Sequence, residues 1–136
     1  MNPKIKELIN NSSKAIYAKP VNVAEIRIQE SKLGLQFGSQ YLDFLKEYGC
    51  LVVGPNEIYG ICGKNDAVPS AVHATLSVRK DKNFPKNLLV IAEDGKGVSF
   101  CVDSKDAIFT FERGIITALN ENFEEFATKW IGFAIN

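Results

Sequence analysis

The chain has one histidine, one methionine and one tryptophan among 136 residues, and its sixteen basic and sixteen acidic residues cancel. Each scarcity closes off a class of function. A serine or cysteine nucleophile working with an imidazole base would have to use His73. Its surroundings, SAVHATL, form no recognised nucleophile motif, and helical or alternating phase leaves it at the surface of its element. The three cysteines, Cys50, Cys62 and Cys101, are odd in number and far apart. With His73 they make up the residue types of a Cys₃His zinc site, but structural zinc draws on closely spaced pairs such as C-x₂-C, and there is none. Buried, reduced thiols are expected instead.

Zero formal charge argues against a dedicated nucleic-acid binder, whose affinity comes largely from excess Lys and Arg. No run of apolar side chains exceeds the five of Leu88–Ala92, far short of a membrane span. The opening MNPKIKELINN lacks the apolar stretch of a signal peptide, so the expected location is the cytoplasm.

What is present describes an ordinary globule. Hydrophobic residues make up 46% and charged residues 24%. A chain of this length buries roughly two-thirds of its unfolded surface, so neither metal nor disulfide is required to stabilise it. We expect a single domain over residues 1–136.

The pattern along the chain has two parts. Asn2-Pro3 starts a short helix to about Ser12, with Ile5, Leu8 and Ile9 at helical spacing. A second helix opens at Asn22-x-x-Glu25, a capping-box pattern, and closes at Gly34. A third runs from Ser39 to Tyr48 on the stripe Tyr41, Leu42, Phe44, Leu45, and ends at Gly49. Strand-like runs then take over. Leu51–Val53 and Glu57–Ile61 flank the turn residues Gly54-Pro55-Asn56. Residues 63–70 read as a loop, and Ala71–Arg79 as a helix. Leu88–Ala92 should be an interior strand. In Val98–Asp103, Val98, Phe100 and Val102 alternate with Ser99, Cys101 and Asp103, a strand with one apolar face. Ala107–Glu112 and Ile115–Leu119 are strands around Gly114. A last helix starts at Asn122-x-x-Glu125 and buries Phe123, Phe126, Ala127, Trp130 and Ile131. Helices first, an antiparallel sheet next and a closing helix make an α+β fold.

Asp94-Gly95-Lys96-Gly97 has the composition of a phosphate-binding loop but not its grammar. The lysine precedes the second glycine, and a strand follows where a helix is needed. With five residues between two strands, it reads as a hairpin turn. The carboxylate pairs Glu93/Asp94, Asp103/Asp106 and Glu124/Glu125 leave a small carboxylate-dependent enzyme open. Adjacent acids on one element diverge, and Glu124 and Glu125 suit a first helical turn. The aromatics of the last third follow strand and helix periods, which marks core, not a base-stacking platform.

The order of these features resembles the SUKH superfamily, which includes bacterial immunity proteins and a fungal cell-wall regulator. The matching stretches are IQESKLGLQFGSQYLDFLKEYG (28–49), NEIYGI (56–61), LLVIAEDGKGVSFCVD (88–103) and NFEEFATKW (122–130). Glu30, Leu33 and Gly34 match the family's E-x-x-L-G helix end, and Tyr41, Phe44 and Leu45 its Y-x-x-F-L helix. Gly38 stands where proline is usual, and Phe37 where leucine is. Glu57, Tyr59 and Gly60 match the E-x-Y-G strand end. Asp94, Gly95, Gly97, Phe100 and Asp103 match the acidic-Gly hairpin and the strand that follows it.

The resemblance implies a mainly antiparallel sheet with N-terminal helices and a C-terminal helix packed against it. It implies a cytoplasmic immunity protein that docks on a cognate toxin, often a nuclease, and occludes its active site. It carries over no catalytic, cofactor-binding or metal-ligating residue. Charge suggests where such a partner would sit. Residues 1–86 hold twelve basic and eight acidic residues, net +4, and residues 87–136 hold four and eight, net −4. Either folding mixes the signs or the C-terminal part offers an acidic face to a basic cleft. The candidate contact residues are Glu93, Asp94, Asp103, Asp106 and Glu112, beside expected turns and strand ends. A scaffold binding an endogenous protein is the alternative within the same family.

Overall fold

The computed structural model describes residues 1–62 and 70–135, and for Ile135 the backbone alone. Its helices begin where side chains replace missing backbone acceptors. Helix α1 (Pro3–Asn10) is capped by Asn2, whose Oδ1 accepts from the Lys4 amide. The Asn22 carboxamide accepts from Glu25 at the start of α2 (Val23–Leu33). Gly34, left-handed at φ 67°, ends that helix as expected. The pairing at Asn122 is reciprocal. Its Oδ1 accepts from the Glu125 amide at 2.9 Å, and Glu125 Oε1 accepts from the Asn122 amide at 3.0 Å, opening α5 (Phe123–Ile135).

Helix α3 (Ser39–Tyr48) has no such residue of its own. Its N-cap is Gly38, and Asp106, 66 residues from Gln40, supplies the oxygens. Asp106 Oδ2 accepts from the Gln40 amide at 2.9 Å and Oδ1 from the Tyr41 amide at 3.1 Å. A Cβ on Gly38 would overlap that carboxylate, which gives glycine a reason to stand where the family has proline. Asp106 is 5% exposed.

The strands form two antiparallel groups. The first is β1 (Ala15–Tyr17), β2 (Leu51–Val53) and β3 (Asn56–Ile58), in that order. The second is β4 (Leu89–Glu93), β5 (Ser99–Val102), β6 (Ala107–Glu112) and β7 (Ile115–Asn122), a meander. One backbone bond joins them: the Tyr59 amide donates to Ile91 O at 2.7 Å. Ile91 lies in a bulge of β4, where the pairing with β5 shifts between Val90 and Ala92. The Val90 amide, diverted at the bulge, donates to Oγ1 of the fully buried Thr75 at 2.9 Å. Thr75 belongs to α4 (Ala71–Val78).

Helix α5 packs on one side of the sheet and against α1 and α3. Helix α4 packs on β4 and α2. Phe100 meets Phe126 and Trp130 of α5, both at 5.1 Å between ring centroids. Ser99 pairs with Phe111, whose ring meets Phe84 edge-on at 5.1 Å. The strand over 98–103 therefore has no wet face. Ser99 is 7% exposed and Cys101 not at all, because Phe84 covers the side its alternating pattern had left to solvent. Tyr41, Phe44 and Phe123 fill the centre, each ring in contact with the other two.

Other expectations shift slightly. β1 carries no readable pattern, since its three half-buried or exposed residues are placed by pairing to β2 and by the Tyr17 ring meeting Tyr48 edge-on at 5.2 Å. β7 reaches Asn122, beyond the expected Leu119. The loop expected over 63–70 lies outside the described residues except at Ser70, which caps α4 by accepting from the His73 amide at 3.2 Å.

Removing the Asp106 carboxylate strands two amides at the buried start of α3. We expect Asp106→Ala to cost about 2 kcal/mol by urea unfolding. Glu112→Ala, at an exposed strand end, should stay within about 0.5 kcal/mol of wild type.

Candidate partner-binding surface

The β4–β5 hairpin turns on a single carboxylate. Asp94 Oδ1 accepts from the Lys96 amide at 2.7 Å and the Val98 amide at 3.0 Å. Gly95 and Gly97 adopt φ of 75° and 105°, which a Cβ disfavours. These amide bonds hold the Asp94 carboxyl below the usual carboxylate range. The β5–β6 turn repeats the device, with Asp103 Oδ1 accepting from Lys105 and Ala107, both at 2.9 Å. The glycine-rich stretch is thus an Asx-type turn in which the Lys96 and Val98 amides are committed to its own aspartate.

The same hairpin forms one wall of a groove of about 600 Å³. Pro55 and Glu57 of the β2–β3 region, Tyr59, Glu93, Asp94 and Trp130 line it. Hydrogen bonds set its walls. The Trp130 indole N–H donates to Glu57 O at 2.9 Å, and the Asn56 amide group donates to Trp130 O at 2.8 Å. The Tyr59 hydroxyl donates to Glu93 Oε1 at 3.0 Å. Burial, reinforced by the Glu93 charge, raises the proton affinity of that phenol well above its ordinary value. It therefore stays a neutral donor through the physiological range. The ion pairs among the described residues engage other carboxylates: Asp43, Glu47, Glu30 and Glu121.

The five candidate acids divide between two ends of the sheet. Glu93 and Asp94 line the groove. Glu112 lies at the same end, one residue beyond the Ser99–Phe111 pair, as the exposed last residue of β6. Asp103 and Asp106 lie at the opposite end, in the β5–β6 turn. Asp106 is buried beneath α3, and its carboxylate is spent on that helix. The acids around the β7–α5 junction are also engaged: Glu121 of β7 with Lys129 at 2.7 Å, Glu124 accepting from the Asn2 amide, and Glu125 in the α5 cap. Glu57, Tyr59 and Trp130 were not among the candidates. Glu57 and Tyr59 stand in NEIYGI and Trp130 in NFEEFATKW, both stretches that carry the family resemblance, which was the available signal.

The SUKH_5 family model, described as "SMI1-KNR4 cell-wall", matches residues 1–131. The chain belongs to the SUKH superfamily. Its fold is similar to the crystal structure of a protein from Pseudomonas syringae pv. tomato, with TM-score 0.73 at 15% identity, covering 97% of this chain and 99% of the other. No curated protein matches the sequence. The SUKH membership and the α+β arrangement of antiparallel strands and helices agree with the reading from sequence. Among the described residues no helix is long and apolar enough to cross a membrane, and no three His, Cys, Asp or Glu side chains converge as a metal site.

The Asp94 turn has a defined pH dependence. Its carboxyl binds protons less readily folded than unfolded, so its contribution is complete above the ordinary value of 3.8 and is lost as pH falls through the lower folded value. The Lys96 and Val98 amide resonances should therefore shift only at the acid extreme. In Asp94→Ala both amides should exchange faster with solvent at every pH.

Proposed function

We propose that this protein is an immunity protein that binds a cognate toxin domain, a nuclease, and occludes its active site through the groove between the β2–β3 turn, the β4–β5 hairpin and Trp130. The observation that carries the reading is the composition of that groove: Glu57, Glu93 and Asp94 set beside Tyr59 and Trp130. Nuclease clefts are basic because they hold a polyanion. An acidic groove attracts such a cleft over a Debye length and selects it against neutral surfaces. Tyrosine and tryptophan supply the desolvated anchors that dominate interface energies. SUKH membership supports a protein-binding role in general.

Glu112 extends the acidic end of this surface, while Asp103 contributes at most to the far rim. Asp106 is left out of it because its carboxylate is buried under α3. Against a carboxylate enzyme stands Asp94, whose low proton affinity is the reverse of what a general acid needs at neutral pH. The family description "cell-wall" favours a second reading, a scaffold for an endogenous partner.

The deciding experiment is co-purification with the C-terminal domain of a toxin encoded beside this gene, followed by inhibition of its nuclease activity. Glu57→Lys with Glu93→Lys should weaken the complex at least tenfold, about 1.4 kcal/mol, and flatten its dependence on salt. Loss of the Tyr59–Glu93 bond should lower the urea stability of the double variant by about 1 kcal/mol, leaving it folded at the binding conditions. Unchanged affinity would remove this groove as the interface. Failure of any neighbouring toxin to bind would favour the scaffold reading.

A further inference from the structure

The mechanism of partner binding makes no use of the cysteines, and two of them are neighbours in space. β3 leads into Tyr59-Gly60-Ile61, which crosses the end of α3 at very close range. The Ile61 amide donates to Gly49 O at 2.9 Å, and a Cβ on Gly60 would overlap that same oxygen. Cys50 and Cys62 each follow this bond by one residue, which sets the two residues side by side with their thiols close enough to interact. Cys50 is 6% exposed, whereas Cys62 is half-buried and lines an open cleft of about 610 Å³ with Ala18, Pro20, Val21 and Ile61. The expectation of three buried thiols therefore holds for Cys50 and Cys101 and not for Cys62.

We infer that Cys50 and Cys62 form an oxidation site, a dithiol that hydrogen peroxide entering by this cleft converts to an intramolecular disulfide. The pair has the contact required, since thiols within hydrogen-bond range need only small side-chain rotations to bond. It also has a division of labour. The interaction of the two thiols, against the opposing effect of burial, lowers the proton affinity of Cys50. Cys50 is thus the more readily ionised of the two and the one oxidised first, with Cys62 as the resolving thiol.

The steps balance as follows. Cys50 Sγ⁻ attacks one peroxide oxygen, the O–O bond breaks, and the departing hydroxide takes a proton from solvent to become water. Cys62 Sγ then attacks the sulfur of the Cys50 sulfenic acid. The S–O bond breaks, and the second hydroxide leaves with the Cys62 proton as water. Two thiols have lost two electrons, and one peroxide has been reduced to two waters. A dithiol reductant reverses the change. Cys101 is an internal control: it is wholly buried on β5, and burial, aided by the Glu93 charge, pushes its thiol up to about 12.

The test treats the folded chain with hydrogen peroxide, alkylates remaining thiols and reads intact mass and peptides. The expected product is a Cys50–Cys62 cross-linked peptide, a mass lower by two hydrogens before alkylation, one alkylatable thiol in place of three, and full reversal by dithiothreitol. Cys101→Ser should cross-link at the wild-type rate. Cys62→Ser should instead gain oxygen at Cys50, having lost its resolving thiol. Three alkylatable thiols after a peroxide exposure that oxidises free cysteine would overturn the inference, as would a bridge that includes Cys101 or joins two chains. The wild-type result decides the matter even if a serine variant fails to fold. It is independent of whether the acidic groove binds a toxin.

Discussion

Four residues, the last of β3 and the three that follow it, hold the molecule together. The segment Ile58–Ile61 is pinned from every side by backbone bonds: Tyr59 N–H to Ile91 O, Ile61 N–H to Gly49 O, and Gly60 O accepting from Ala71 at 2.9 Å. The Tyr41 hydroxyl, wholly buried in α3, donates to Tyr59 O at 2.8 Å. These bonds tie the two strand groups, the end of α3 and the start of α4 to one strip of chain. Gly49 and Gly60 are what allow it, because no side chain fits where the two backbones cross. The consequences reach the surface on both sides. Tyr59 is placed to hold Glu93 at the groove, and Ile61 sets Cys62 beside Cys50.

Carboxylates do three different jobs here, and position decides which. Asp106 is buried and caps α3. Glu30 is 7% exposed and accepts from Arg27 and, at 2.7 Å, from the Phe37 amide, closing the chain between α2 and α3. Asp94 and Asp103 wrap their own turns, each accepting from amides two and four residues ahead. Only Glu57 and Glu93 combine a place in the groove with carboxylates free of such backbone duty. A net charge of −4 over residues 87–136 therefore overstates the acidic surface available to a partner. What remains is a concentrated patch next to two large aromatics, which suits electrostatic capture followed by desolvated contact.

Much of this was legible in the residue pattern, for a local reason. Asn2, Asn22, Asn122, Gly34 and Gly49 mark helix ends because capping needs only atoms within a few residues. The hairpin at Asp94 was legible because an Asx turn closes on itself. The burial of Ser99 and Cys101 was not, since it depends on Phe84 arriving from a separate loop. Strand β1 was missed for the same reason: its pairing to β2 spans 36 residues and leaves no mark on Ala15–Tyr17.

The chain's own order of residues determined its helices and most of its strands, its α+β class and its family, because propensity, capping and periodicity act over one or two turns of chain. Tertiary structure alone decided that Asp106 belongs to α3, that Glu57 and Trp130 face Glu93 and Asp94, and that Cys50 meets Cys62. Those outcomes depend on close approach between segments far apart in sequence, and packing, not local preference, sets which side chains then share a space.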